Sequence, residues 1–337
     1  MTSGPGTAVA DPERAAPSAT ANPEHVAELV VTDRVAVAEG IVSLTLADPG
    51  GGELPVWTPG AHVDLLLTPE LTRQYSLCGS PSDRERWRIG VLLDAGGRGG
   101  SQHVHASLQA GSRVQVRGPR NNFPLAAASR YVFVAGGIGI TPLLPMIAEA
   151  EATGASWRLH YGGRRRQSMA FVDELLERYG DRVELWPEDE RGMLDLAALL
   201  GQAQAGVLVY TCGPEGLLQA VERTCAGWPA GSLNVERFVA KPVDDTAAAT
   251  TFEVVCQRSG ITVTVPEDRS ILEVVQGAGV AALSSCLEGV CGTCETAVVE
   301  GEPDHRDSLL SEDEKAAGDY MMICVSRCHG ARLVLDL

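Results

Sequence analysis

The chain has 337 residues, too many for one domain of ordinary size and enough for two or three. A 45% hydrophobic and 21% charged composition excludes disorder over the whole length. The formal net charge of −17 argues against a nucleic-acid or anionic-membrane partner, while an acidic protein can still steer toward a basic docking face on another protein.

Residues 1–25 are rich in Ala, Pro, Gly, Ser and Thr and read as a mobile tail. The tail has no cationic start followed by an apolar block, so it does not read as a signal peptide. No apolar run reaches the roughly 18 residues that span a bilayer. The expectation is a cytoplasmic protein without a membrane partner. In that compartment the nine cysteines stay reduced, which favours metal or redox chemistry over disulfides.

Residues 26–127 alternate short apolar runs, such as IVSLTLA, HVDLLL, WRIGVLL and RVQVRG, with Gly, Pro and Asp. This rhythm predicts an antiparallel barrel or sandwich. Within it, RQYSLCGSP places Arg73, Tyr75 and Ser76 at a strand end. A guanidinium can grip a phosphate, a phenol ring can pack on a flat cofactor, and a hydroxyl can reach a ring nitrogen. Farther on, GGRGGSQHVH contains Gly99, Gly100 and Ser101, where consecutive amides at a helix start form an anion nest. His62, His103 and His105 read as structural groups, because histidines on strands and helix starts more often satisfy local bonds than catalyse.

Residues 128–240 change to strand–helix alternation and predict a parallel α/β sheet. YVFVAGGIGITPLLPM carries Gly136, Gly137, Gly139, Thr141 and Pro142. It departs from the G-x-G-x-x-G fingerprint, but Thr141 reads as a helix cap and Pro142 as a first-turn proline, where a pyrophosphate can rest. YTCGPEGLL sets Cys212, Gly213 and Pro214 after another strand, where a plain buried cysteine is the competing reading. Arg164, Arg165 and Arg166 follow a strand, and by chemistry such a cluster suits the 2′-phosphate of NADPH.

Residues 241–250 read as a linker and 251–337 as a third domain: a hairpin, a short helix, a cysteine cluster and a closing strand. Cys286, Cys291 and Cys294 have the spacing C-x4-C-x2-C, and Cys324 follows at a distance, the plant-type pattern for a 2Fe–2S cluster. Gly289 and Gly292 let backbone amides approach the sulfurs. A structural zinc site is the competing reading, although zinc usually takes two C-x2-C knuckles and one is present. Cys328 rivals Cys324 as fourth ligand; Cys324 is favoured because MMICVSR reads as a strand entering the site.

The C-terminal stretch resembles plant-type ferredoxins. In this order the barrel, nucleotide and cluster motifs resemble the phthalate dioxygenase reductase family, which includes the reductase subunits of aromatic O-demethylases; the likeness runs from about Val26 to Leu337. The resemblance implies an FMN barrel, an NAD domain and a β-grasp-like ferredoxin domain. It implies that Arg73 and the Gly99–Gly100–Ser101 turn hold the FMN phosphate, that Tyr75 packs on the isoalloxazine, and that Ser76 lies near its reactive edge. It places a dinucleotide on the loop from Gly136 to Pro142, and the nicotinamide at the Cys212–Gly213–Pro214 turn, with Cys212 beside the hydride path. Phe238 in VERFVA is then the aromatic cover of the flavin, and Glu236 a group near the transfer site or a solvated strand-end carboxylate. Relatives with similar arginines are NADH users, so NADH is expected, with Arg164 at its adenosine end. The implied function is an electron-transfer reductase serving a Rieske-type aromatic oxygenase or demethylase. A haem monooxygenase partner and a redox-sensing role are the alternatives.

Overall fold

The computed structural model describes residues 25–69, 71–241 and 250–337. Nearly all of the expected tail and most of the expected linker lie outside the described residues.

The first unit holds β1 (Val26–Ala38), β2 (Ile41–Ala47), β3 (His62–Thr68), β4 (Leu71–Ser76), β5 (Arg86–Leu92), α1 (Gly100–Ser107) and β6 (Arg113–Arg120). Its six strands run antiparallel in the order β4-β3-β6-β1-β2-β5. The two edges meet through a Leu77–Ile89 bridge and a bond from the Cys78 amide to the Arg88 carbonyl at 2.8 Å, which turns the sheet into a barrel. Period-2 alternation explains the packing: Trp87, Ile89 and Val91 of β5 point into a core with Leu44, Leu46, Val63, Leu65 and Val116. Arg88, between them, points outward.

The second unit follows as β7 (Arg130–Gly136), α2 (Ile140–Ala152), β8 (Ser156–Gly163), α3 (Val172–Tyr179), β9 (Val183–Pro187), α4 (Glu188–Arg191), α5 (Leu196–Leu200), β10 (Val207–Cys212), α6 (Glu215–Thr224) and β11 (Leu233–Glu236). All five strands are parallel, ordered β11-β10-β7-β8-β9. From β7 the chain winds first through β8 and β9, then crosses back to β10. The carboxyl ends of β7 and β10 therefore flank the switch point, where open α/β sheets bind ligands. Helix α2 is buried nearly all round because it lies between this sheet and the barrel. Gly90 permits that contact: a Cβ there would lie 2.8 Å from Thr141 Cγ2. Arg88 adds a two-pronged bond to Glu174 of α3 at 2.9 and 3.0 Å.

The third unit comprises β12 (Phe252–Cys256), β13 (Ile261–Val265), α7 (Ile271–Gly277), β14 (Glu295–Glu300), β15 (Pro303–Asp304), α8 (Glu312–Ala317), β16 (Tyr320–Met322), β17 (Arg327–Cys328) and β18 (Arg332–Leu335). Its mixed sheet is ordered β13-β12-β18-β14-β16, with β12 and β18 parallel. Ser270 and Glu273 cap the start of α7 reciprocally, so Ile271, Leu272, Val274 and Val275 begin packing on the sheet at once. The expected hairpin and short helix are β12, β13 and α7. The expected strand through MMICVSR is instead broken: β16 ends at Met322 and the chain turns before β17, which puts Cys324 on the turn.

Candidate functional site

Strand β4 and the start of α1 face each other at the barrel mouth. Gly99 adopts φ +80° and leads into α1 with no side-chain cap, leaving first-turn amides for a ligand. Arg73 lies across this terminus so closely that a Cβ on Gly100 would fall 2.2 Å from Arg73 Cγ. Among the described residues, Arg73 donates to the carbonyls of Thr72 at 2.7 Å and Arg98 at 2.5 Å. Burial and the neighbouring Arg98 cation lower its pKa, the setting an anion would relieve. Ser101 Oγ accepts from the Asp94 amide at 3.0 Å. Tyr75 is half-buried beside the barrel core, and burial raises its phenol well above the ordinary value. Ser76 is buried at the end of β4. A cationic side chain over a glycine-lined helix start, with a phenol two residues away, fits a flavin mononucleotide end to end in chemistry.

His62 is buried and its pKa falls to about 3, first through burial and then through Arg120, so it stays neutral. His105 Nε2 meets the Val91 carbonyl at 3.0 Å.

At the switch point the turns after β7 and β10 are pressed together. A Cβ on Gly139 would lie 2.3 Å from the Cys212 carbonyl oxygen, and one on Gly136 would lie 2.6 Å from Pro214. Gly213 has the same restriction, 2.9 Å from Gly136 Cα. Gly137 takes φ +53° and opens a short tight turn that precedes α2. Thr141 corrects an expectation: it sits inside α2, its hydroxyl donating to the Ile138 carbonyl at 2.9 Å, and Gly139 occupies the cap. The tight turn uses up the residues before Ile140, so the threonine arrives two positions too late to cap. Pro142 is in the first turn.

Cys212 is fully buried, and burial together with Glu236 raises its thiol pKa well above the ordinary value. Glu236 touches it from β11, paired in register. Burial pushes the Glu236 carboxyl up to about 8, and its Oε2 has no hydrogen-bond partner. Thr211 Oγ1 is likewise buried without one. On the Cys212 face of the sheet the unmatched Glu236 oxygen suits an amide-bearing ring such as nicotinamide, whereas Thr211, next along β10, faces the other side with Val209. Phe238 follows β11 with 39% of its surface exposed, and Arg164 is exposed beyond β8.

The cysteine loop winds tightly. Leu287, Gly289 and Gly292 take φ of +60°, +69° and +73°, and Cβ atoms on the two glycines would meet Val325 at 2.6 Å and Asn122 at 2.9 Å. The four thiols are buried and touch in sequence: Cys286 meets Cys291 and Cys324, and Cys324 meets Cys294. The Glu288 amide donates to Cys286 Sγ at 3.3 Å, and the Gly289 amide points at Cys324. Among the described residues no group of three or more His, Cys, Asp or Glu is placed to hold a single metal ion. Four clustered thiols with amides aimed at sulfur suit a sulfide-bridged iron pair better than a lone zinc. Cys328 is engaged elsewhere, its Sγ accepting from the Gly330 amide at 3.3 Å.

Several functional contacts escaped the sequence reading. Asp64, wholly buried on the outer face of β3, binds Arg117 Nη2 at 2.8 Å, Arg120 Nη2 at 2.8 Å and the Ser285 hydroxyl at 2.8 Å. Burial raises its carboxyl, but Arg120 and Arg117 outweigh this and hold it below the ordinary value. Arg117 also donates to the Ser284 carbonyl at 2.7 Å, Asn122 to the Cys291 carbonyl at 2.9 Å and Arg98 to the Cys286 carbonyl at 2.9 Å. The barrel thus grips the cluster loop directly. A lone Asp inside HVDLLL was the available signal.

Residues 254–329 match the 2Fe-2S iron-sulfur cluster binding domain family. The phenoxybenzoate dioxygenase subunit beta of Ectopseudomonas oleovorans is 44% identical over 302 residues, 89% of this chain and 94% of that protein. The solved structure of phthalate dioxygenase reductase, described as a modular structure for electron transfer from pyridine nucleotides to [2Fe-2S], superposes with TM-score 0.69 at 38% identity, over 93% of this chain and 98% of that one. An intact type IV self-sufficient cytochrome P450 monooxygenase gives TM-score 0.87 at 44% identity; the match covers 93% of this chain and 41% of that longer one. Barrel, switch-point sheet and cysteine loop, in that order and at these identities, place the chain in the phthalate dioxygenase reductase family, among the reductase components of oxygenase systems.

Proposed function

We propose that this reductase draws electrons from NADH through FMN and a 2Fe–2S cluster and delivers them to a Rieske-type aromatic oxygenase or demethylase. The observation that carries the reading is the direct bond from the glycine-rich turn to the cluster loop, Arg98 Nη1 to the Cys286 carbonyl at 2.9 Å. It joins the two candidate redox sites across the chain. A bound flavin would supply two-electron chemistry toward the nicotinamide and one-electron chemistry toward the cluster. The protein's own residues bind and orient. Arg73 and the amides from Gly99 to Ser101 hold the phosphate, while Tyr75 and Ser76 line the ring. The glycines at 136, 137 and 139, with Thr141 and Pro142, let the pyrophosphate approach α2. The Cys212–Gly213–Pro214 turn seats the nicotinamide, with neutral Glu236 behind Cys212 and Phe238 nearby. Arg164 sits toward the adenosine end. Cys286, Cys291, Cys294 and Cys324 hold the irons.

Flavin released by heat, identified by chromatography, and steady-state kinetics with both nicotinamides test this reading. FMN and a kcat/KM favouring NADH are expected; FAD or a preference for NADPH would overturn the corresponding assignment. A haem monooxygenase is the second reading of the partner, favoured by the likeness to the fused P450 chain. Electron delivery to a purified Rieske oxygenase, compared with delivery to a P450, separates the two.

A further inference from the structure

Arg98 stands between the two redox sites. Its carbonyl accepts Arg73 Nη2 at 2.5 Å, its Nη1 donates to the Cys286 carbonyl at 2.9 Å, and its Nη2 pairs with Glu288 at 3.0 Å. Glu288 returns its amide to Cys286 Sγ at 3.3 Å. A short chain of bonds therefore leads from the candidate phosphate arginine to a candidate iron ligand. Nothing in the barrel itself requires a cation here, since the Arg98 guanidinium has both these partners in another domain.

The geometry points to Arg98 as a positioning residue that couples the flavin turn to the cluster, fixing the Cys286 end of the loop and raising the cluster's reduction potential. This inference rests on the flavin and cluster assignments above. One electron leaves reduced flavin and converts one ferric iron to ferrous; no bond forms or breaks. The reduced cluster carries an extra negative charge, which a guanidinium beside Cys286 stabilises. Arg98 also offsets the Glu288 carboxylate two residues from that ligand. Its removal takes away a cation and leaves an anion uncompensated, and both effects favour the oxidised form.

The test uses the full-length holoprotein, with flavin, iron and acid-labile sulfide quantified first. Dye-mediated titration followed by electron paramagnetic resonance gives the cluster midpoint. Arg98→Ala is expected to shift the flavin–cluster equilibrium about tenfold toward oxidised cluster, about 59 mV for a one-electron couple. Arg98→Lys should recover most of that shift, because it keeps the charge. Glu288→Gln should move the midpoint upward. Arg98→Ala combined with Glu288→Gln should return the midpoint near its starting value yet still slow single-turnover transfer from flavin to cluster, because the Cys286 carbonyl bond remains absent. Midpoints of Arg98→Ala and Glu288→Gln both within threefold of the parent equilibrium, at full cofactor content, would overturn the inference. If Arg98→Ala loses its cofactors, an unmoved midpoint in Glu288→Gln overturns it. Parent protein without labile sulfide would instead overturn the cluster assignment.

Discussion

Replacing Asp64 by Asn tests how the barrel holds the cluster loop. Asp64 is completely buried, and its charge is shared by Arg117 and Arg120. The amide can still accept from Ser285, but it removes the buried carboxylate charge that the two guanidiniums share. Breaking a buried ion pair on one side costs about 3–5 kcal/mol. With a urea slope of about 3 kcal/mol per molar, a loss of about 4 kcal/mol lowers the unfolding midpoint by roughly 1.3 M. The sign with pH is definite. The folded pKa lies below the ordinary 3.8, so the unfolded chain binds the proton more readily. The stabilisation is complete above the unfolded pKa and disappears as pH falls through the folded one. Urea titrations at pH 7 and at stepwise lower pH, read by cluster visible circular dichroism and by tryptophan fluorescence, check both points. The gap between parent and Asp64→Asn should narrow below about pH 4. A midpoint change under about 0.3 M at pH 7 would refute the argument, since it would mean that Asp64 contributes almost nothing to this contact.

Cys291→Ser is expected to abolish the iron–sulfur absorbance while nicotinamide still bleaches the flavin, whereas Cys328→Ser should retain the cluster; loss of the cluster in Cys328→Ser would reinstate it as a ligand. Glu236, with its carboxyl at about 8 in place of 4.5, is neutral at pH 7 and ionises as pH rises past that value. The folded chain therefore holds an extra proton between the two values, so stability declines across that window as pH increases. Single-turnover flavin reduction should show an inflection near pH 8 that Glu236→Gln removes, and an inflection surviving in that variant would rule out the carboxyl as its source. Gly139→Ala would bring a methyl within 2.3 Å of the Cys212 carbonyl oxygen, so the nicotinamide KM should rise about tenfold or more with cluster absorbance intact. An unchanged KM would show that the two turns can separate at no cost to binding.

Periodicity and spacing carry what is local. The alternation in WRIGVLL puts Trp87, Ile89 and Val91 in one core, and YVFVAGGIGITPLLPM reads as a strand, glycine turn and helix, a strand that the fold places at the centre of the parallel sheet. The C-x4-C-x2-C run singles out three of the nine cysteines because a cluster loop must be short, and the fold brings the distant Cys324 beside them. Thr141 reads as a cap but is not one, because a two-residue shift in a tight turn lies below the resolution of a sequence pattern. The contacts of Asp64 with Ser285 and of Arg98 with Cys286 span 221 and 188 residues. No propensity or motif encodes such pairs. They arise only when the folded barrel and ferredoxin surfaces come together, where burial makes each unpaired charge costly enough to demand its partner.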